Sequence, residues 1–155
     1  MSFRLRKDAK PWFKELRQPH ALPIEFDSYY FCLMAGLAAG RKKELPLSAT
    51  DEIVQYFPGN YTGKGKLIVA LFLKRELDAL GMRLDERKAV HETIAKLVAP
   101  DSLSCLSPEG EKQLNGYAHG GFDVLLEWFD DRPRTLEAFL PLYKRYLSAS
   151  LETEA

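Results

Sequence analysis

The sequence is poor in cysteine and histidine and carries no net charge. Its 155 residues include two cysteines and three histidines, and 22 basic side chains are balanced by 22 acidic ones. Cys32 and Cys105 lie far apart in apolar contexts without metal-ligand spacing, which favours two reduced, buried thiols over a disulfide. Because the formal charge is zero, any preference for nucleic acid or for a membrane must come from local patches.

Long hydrophobic runs are also missing. The apolar stretches, such as residues 67–73, are far shorter than the roughly 20 residues that a membrane-spanning helix needs. The N-terminal segment is basic but lacks the apolar centre of a signal peptide. We therefore expect a cytoplasmic protein with a single domain over residues 1–150 and a frayed tail over residues 151–155.

No strand pattern with alternating polarity and a two-residue turn is recognisable, whereas helical patterns recur along the chain. The strongest pattern predicts a central helix over about residues 64–81. Residues 67–73 are apolar on every side of this helix, which predicts burial, and Gly81 suits a left-handed helix end.

Helical patterns continue on both sides of this segment. Residues from Ser28 to about Gly40 have a bulky aromatic first half and a second half of small residues, which predicts close packing against the central helix. A pattern similar to a capping box at 48–51 predicts a short helix after it. Leu84 and Asp85 are typical of the residues that precede and cap another helix.

Two further helices are predicted in the C-terminal part, each with an irregularity. Ser107 followed by Pro108 is a strong helix start. Gly120 and Gly121 weaken a helix by about 1 kcal/mol each relative to alanine, so we expect a bend or break there. The last helix keeps its periodicity through Pro141, which predicts one kinked helix. The sequence thus predicts an all-α fold, a single irregular domain of six to seven helices around the central one.

The segment GNYTGKGK at 59–66 invites comparison with a phosphate-binding loop, but its glycine spacing is one residue short and no strand precedes it. The free amides of residues 63–66 nevertheless open a helix, and Lys64 and Lys66 add positive charge. A phosphate contact is one interpretation, and a flexible loop kept soluble by its lysines is the other. Tyr61, between two glycines, is the tyrosine best placed for base stacking.

A second basic segment follows the small-residue helix, where cations offset the negative end of the helix dipole. A third surrounds Arg4 and Arg6 near the N-terminus. Such patches suit either phosphates or an acidic protein surface. The candidate nucleic-acid or phosphate contacts are Arg41, Lys42, Lys43, Tyr61, Gly63, Lys64, Gly65 and Lys66.

The sequence contains no recognisable catalytic or metal-binding motif. None of the histidines pairs with another histidine or a cysteine at ligand spacing. Acid pairs such as Asp123 and Glu127 are more typical of solvated or arginine-bonded surfaces than of catalysis. His119 fits a hydrogen-bonded structural histidine better than a general base. We therefore expect no metal, no cofactor and no catalytic residue.

Two stretches carry a family resemblance: 26–47, FDSYYFCLMAGLAAGRKKELPL, and 114–126, LNGYAHGGFDVLL. They resemble small helical accessory proteins of bacterial phage-defence gene clusters, in particular those that accompany DNA phosphorothioation (Dnd) systems. The two stretches cover under a quarter of the chain. The resemblance implies a cytoplasmic, non-catalytic component of a DNA-defence assembly that works with larger protein partners.

These observations favour an accessory protein that contacts the DNA backbone or docks on a DNA-acting partner. The alternative is a helical scaffold or oligomerisation module without any nucleic-acid contact. A homo-oligomer is compatible with both interpretations, and contact with duplex DNA would be non-specific in sequence because the candidate contacts are cations.

Overall fold

The computed structural model describes residues 2–153, which form six α-helices and a two-stranded antiparallel sheet. Two short 3₁₀ segments, Leu47–Ala49 and Gly59–Lys64, precede the second strand and the third helix. In chain order the elements are β1 (Phe3–Arg6), α1 (Ala9–Phe13), α2 (Glu25–Ala39), β2 (Thr50–Val54), α3 (Gly65–Ala79), α4 (Arg87–Leu97), α5 (Pro108–Trp128) and α6 (Leu136–Thr153). The chain is predominantly helical, as its periodicity predicts.

The small sheet corrects the prediction of a purely helical fold. β1 and β2 pair antiparallel, with Leu5 opposite Asp51 and Arg6 opposite Thr50. The two strands are separated in sequence by α1 and α2, so no short hairpin turn marks them. The segment after Ser48, predicted to be a helix, enters β2 instead, because pairing with a distant strand overrides a weak capping pattern.

α2 and α5 form the centre of the core, and their backbones touch. A Cβ atom on Gly121 would overlap the carbonyl oxygen of Cys32, and one on Gly36 would overlap the carbonyl oxygen of Tyr117. Almost every residue of 114–125 in α5 is buried. The small residues of α2 therefore do permit close packing, but the helix that approaches them is α5 and not the segment predicted as central.

α3 is a surface helix with one buried face, so the prediction that residues 67–73 of the central helix are buried on every side is wrong. Ile68 and Phe72 face the core, whereas Leu67 is 61% exposed and Leu71 is 40% exposed. The helix itself exists, and Gly81 follows it in the predicted left-handed conformation with φ of 69°. A run of consecutive apolar residues predicts a helix or a strand, but it does not show how many sides of that element other elements cover.

α5 is continuous, so the predicted break near residues 119–121 is also wrong. Gly116, Gly120 and Gly121 remain helical. The cost of glycine in a helix is offset here by packing, since a Cβ atom on Gly120 would collide with the backbone of the segment after α2. The predicted start is confirmed, because the hydroxyl oxygen of Ser107 accepts a hydrogen bond from the amide of Gly110 at 3.0 Å.

The remaining boundaries deviate by a few residues. α2 begins at Glu25, before the predicted Ser28, and α4 begins at Arg87, just after the predicted cap. α6 is one helix through Pro141, as predicted. It reaches Thr153, beyond the predicted start of the frayed tail, and residues 154 and 155 lie outside the described residues.

The two cysteines are free, as predicted for reduced thiols. Cys32 is buried in α2, and this burial raises the pKa of its thiol far above the ordinary value. Cys105 is only partly buried and adopts a positive φ of 64° in the connection before α5. The predicted burial is therefore confirmed for Cys32, but the prediction that Cys105 is buried is wrong.

Candidate functional site

The candidate contact residues fall into two groups. Arg41, Lys42 and Lys43 belong to the connection between α2 and β2, whereas residues 61–66 belong to the 3₁₀ segment and first turn of α3. The two groups differ in how far their charges are neutralised by neighbouring side chains.

The connection after α2 lies along α5. Gly40 ends α2 with φ of 63°, and the amide of Lys43 donates to the carbonyl oxygen of Gly116 at 3.0 Å. Because Gly116 and Gly120 have no side chains, the backbone of residues 41–43 can approach the helix surface. This segment is therefore part of the packed structure.

The three basic side chains of this segment each meet a carboxylate on α3 or α5, and these partners could not be located from local sequence. The Arg41–Glu127 hydrogen bonds lower the pKa of Glu127. This pair is exposed, and such pairs contribute at most about 1 kcal/mol. The three pairs are Arg41 with Glu127 at 2.6 Å, Lys42 with Glu76 at 2.7 Å and Lys43 with Asp123 at 3.2 Å.

The N-terminal basic cluster is partly neutralised in the same way. Arg6 is buried and donates to Asp8 at 2.7 and 2.8 Å and to Asp123 at 2.9 Å. Burial alone would lower the pKa of Arg6, but the hydrogen bonds and charges of these two carboxylates raise it overall. Arg6 therefore ties β1 to α5 and offers no free charge at the surface.

Arg75 has a structural role that no local sequence pattern indicates. Its Nε donates to the carbonyl oxygen of Leu37 at 2.7 Å, and its Nη2 donates to that of Ala38 at 2.9 Å. These carbonyls lie in the last turn of α2, where a guanidinium also meets the negative end of the helix dipole. Arg75 thus fastens α3 to the end of α2.

Tyr61 lies in the core and not at an exposed position. It is 8% exposed, and its hydroxyl donates to Asp27 at 2.6 Å. Its ring packs on Phe26 and Tyr30 with centroid separations of 4.7 and 5.1 Å. Burial and the hydrogen bond to Asp27 raise the pKa of Tyr61 well above its ordinary value. Tyr61 anchors the 3₁₀ segment to α2.

The glycines and lysines beside Tyr61 differ in their surroundings. Gly65 is buried, and a Cβ atom there would collide with the ring of Phe57, whereas Gly63 faces open space. Lys64 and Lys66 are exposed, and no carboxylate of the described residues lies within ion-pair distance of them. Among the candidate contact cations of residues 41–43 and 64–66, these two keep their charge available to a partner.

An exposed apolar surface adjoins these lysines. Leu67, Ala70 and Leu71 lie on the outer side of α3, one turn apart, and all three are exposed. Further along the helix, Lys74 pairs with Asp78 at 2.6 Å. We refer to Lys64, Lys66, Leu67, Ala70 and Leu71 as the α3 face.

His119 of α5 is a buried histidine with a shifted pKa. It is 6% exposed, and its Nδ1 has no hydrogen-bond partner among residues 2–153. Burial, followed by the positive charges of Arg6 and Arg4, lowers the pKa of His119 to about 4. The imidazole is therefore neutral at neutral pH, and the predicted structural position is observed without the predicted hydrogen bond at Nδ1.

Comparison of the chain with protein-family models, curated proteins and solved structures found no match. Among the described residues, no group of three or more histidine, cysteine, aspartate or glutamate side chains is arranged to hold a metal ion. Within residues 2–153, no helix has both the length and the apolar character required to cross a bilayer. The function is therefore argued from the chain's own surfaces.

Proposed function

We propose that this protein is a non-catalytic accessory subunit that docks on a larger, acidic protein partner through the α3 face. The supporting observation is the exposure of Leu67 and Leu71, 61% and 40%, beside Lys64 and Lys66 that have no carboxylate partner among the described residues. Leucines four residues apart on a helix present a continuous apolar ridge.

The chemistry of this surface indicates the chemistry of its occupant. Protein interfaces combine an apolar centre with a charged rim, and a helix with leucines at i and i+4 fits an apolar groove. The two lysines at one end favour a groove bordered by aspartate or glutamate, because opposite charges guide association and fix orientation. The expected partner therefore offers an apolar groove with an acidic border.

Contact with the DNA backbone is the second interpretation. It is supported by the lysines alone, and it leaves the exposed leucines without a role. Arg41, Lys42 and Lys43 already face carboxylates, so a DNA contact through them would have to break three ion pairs. We therefore favour a protein partner, and from the family resemblance we propose that this partner belongs to a DNA-acting phage-defence assembly.

The test is co-purification of the tagged protein from native cells, with and without nuclease, followed by reconstitution with the purified partner. We expect a stoichiometric partner that survives nuclease treatment. The double variant Leu67→Ser/Leu71→Ser and the charge variant Lys64→Glu/Lys66→Glu should both lose it. Matched controls are Leu80→Ser/Leu84→Ser for the leucines and Lys88→Glu/Lys96→Glu for the lysines, all at exposed positions.

Three outcomes would contradict the proposal. Retention of the partner by both α3 variants would exclude the α3 face as the docking site. Loss of the partner on nuclease treatment, together with weaker binding of duplex DNA by the lysine variant alone, would favour the DNA-backbone interpretation. A change from oligomer to monomer in the leucine variant, without any loss of a partner, would favour the scaffold alternative.

A further inference from the structure

A cavity of about 330 Å³ lies where the connection after α2 passes β1 and α5. Its size is at the lower end of the range for small-molecule sites in proteins. Four cationic side chains line it, and Glu44 is the one carboxylate among the lining residues. The cations are Arg4, Lys42, Lys43 and Lys112.

Arg4 is the best fixed of these cations. Its Nε donates to Oγ1 of Thr50 at 2.8 Å, and its Nη2 donates to the carbonyl oxygen of Thr50 at 3.0 Å. Its backbone amide donates to Asn115 at 3.1 Å, which holds β1 against α5. No carboxylate of residues 2–153 lies within ion-pair distance of its guanidinium, so a positive charge is held at the cavity without a counter-ion.

Each lysine of the lining has a carboxylate partner, and the pairs differ in strength. Lys112 lies 3.5 Å from Glu44, and the two side chains are 48% and 82% exposed, so this pair is weak. Lys43 shares the carboxylate of Asp123 with Arg6. Arg6 also pairs with Asp8, and Lys42 pairs with Glu76. The positive charge without a counter-ion at the cavity is therefore that of Arg4.

The other walls are polar on one side and apolar on the other. His119 lines the cavity and has an Nδ1 atom without a partner, which is unusual for a buried polar atom. Leu45, Pro46 and Leu47 line the cavity on the side of the connection. An anionic group with an apolar or aromatic body would match both walls.

We propose that this cavity binds a small phosphate monoester of about mononucleotide size. Its phosphate would lie against Arg4 and Lys112, where charge-assisted hydrogen bonds to phosphate are strong, and Glu44 would be displaced from Lys112. Its organic part would lie against Leu45 and Leu47. This proposal is independent of docking at the α3 face.

The test uses the full chain and two readouts, calorimetric titration and the imidazole NMR signals of His119, which are assigned with a His119→Gln variant. The probes are adenosine monophosphate, inorganic phosphate and adenosine. We expect the monophosphate to bind most tightly and to shift the signals of His119, inorganic phosphate to bind more weakly, and adenosine not to bind. These differences separate an ester site from a site for free phosphate.

Variants at the cavity rim test the contribution of individual charges to binding. Lys112→Gln removes a charged hydrogen bond and should lower the affinity for the monophosphate about tenfold. Glu44→Gln removes the carboxylate that competes for Lys112 and should raise the affinity for the monophosphate. Lys88→Gln, at an exposed position of α4, is the matched control and should leave the affinity unchanged.

The inference is overturned if neither phosphate probe shifts the signals of His119 at millimolar concentration. It is also overturned if Lys112→Gln and Lys88→Gln weaken binding equally, because the effect would then be one of net charge. Equal affinity for inorganic phosphate and the monophosphate would exclude the role of the apolar wall. The Leu67→Ser/Leu71→Ser variant should bind the probes normally, so failure of the docking proposal would leave this one intact.

Discussion

Buried polar residues join β1 to the central helix pair. The side-chain oxygen of Asn115 accepts from the hydroxyl of Tyr29 at 2.8 Å and from the amide of Arg4 at 3.1 Å. Its amide nitrogen donates to the carbonyl oxygen of Ser2 at 2.8 Å. Removal of such a residue would leave several buried groups without partners, which costs more than the hydrogen bonds themselves contribute. In the sequence, Asn115 is one polar residue in a helix, and only its burial reveals its role.

The buried histidine makes the stability of the fold depend on pH. The pKa of His119 is about 4 in the folded chain, against 6.5 for a free histidine. Between these values the unfolded chain binds a proton that the folded chain does not. The contribution of His119 to stability is therefore most favourable above pH 6.5 and declines as pH falls towards 4. We predict a decrease in the free energy of unfolding of about 2 kcal/mol between pH 7 and pH 4.5 from this residue.

Urea unfolding of the wild type and of His119→Gln at both pH values measures this effect. The variant should lose most of the pH dependence, because glutamine does not titrate. His20→Gln and His91→Gln, at exposed positions, are the controls and should keep the wild-type dependence. An unchanged pH dependence in His119→Gln would contradict the prediction, because it would show that folding does not shift the pKa of His119.

At the scale of elements, local sequence patterns locate helices well, but they do not show which segments pack against those helices. Ser107 and Pro108 start α5 where the sequence places the helix start. The same kind of reasoning predicts a break at Gly120 and Gly121, because glycine lowers helix propensity. The structure shows that these glycines permit contact with α2 and with the segment after it, which depends on residues distant in sequence.

A substitution at this contact should reverse the usual preference for alanine in helices. Gly121→Ala would place a methyl group into the backbone of α2 at Cys32, so we predict a loss of about 3 kcal/mol or more in the free energy of unfolding. Gly63→Ala, where the space is open, is the matched control and should change stability by less than about 1 kcal/mol. Urea unfolding monitored by circular dichroism measures both.

A stabilised Gly121→Ala variant would mean that α2 and α5 are farther apart than described. A destabilised Gly63→Ala variant would instead indicate that the 3₁₀ segment before α3 needs glycine for its own conformation. The two results are independent because the positions belong to different elements.

At the scale of the whole molecule, one aromatic cluster connects elements from both ends of the chain. Trp12 of α1 packs edge-on against Phe122 of α5 and Phe139 of α6, at centroid distances of 5.9 and 6.2 Å. The same core includes Phe3 of β1 and Phe72 of α3. A contiguous core of this kind is expected to unfold as one unit, whereas the single domain over residues 1–150 stays a prediction.

We therefore predict one cooperative unfolding transition. Tryptophan fluorescence reports on Trp12 and Trp128, whereas far-ultraviolet circular dichroism reports on all helices, including α3 and α4. The two urea curves should have the same midpoint. An earlier transition by circular dichroism would show that α3 and α4 unfold separately, and the chain would then contain two cooperative units.

The sequence by itself determined the predominance of helices, the start of α5, the continuity of α6 through Pro141 and the left-handed residue after α3. These features follow from capping groups and periodicity within one or two helical turns. The tertiary structure alone decided which helix is central, why α5 tolerates its glycines, and which cations remain free. Burial, ion pairing and backbone contact depend on segments that are distant in sequence, as Arg41 and Glu127 are, so only the arrangement of the whole chain reveals them.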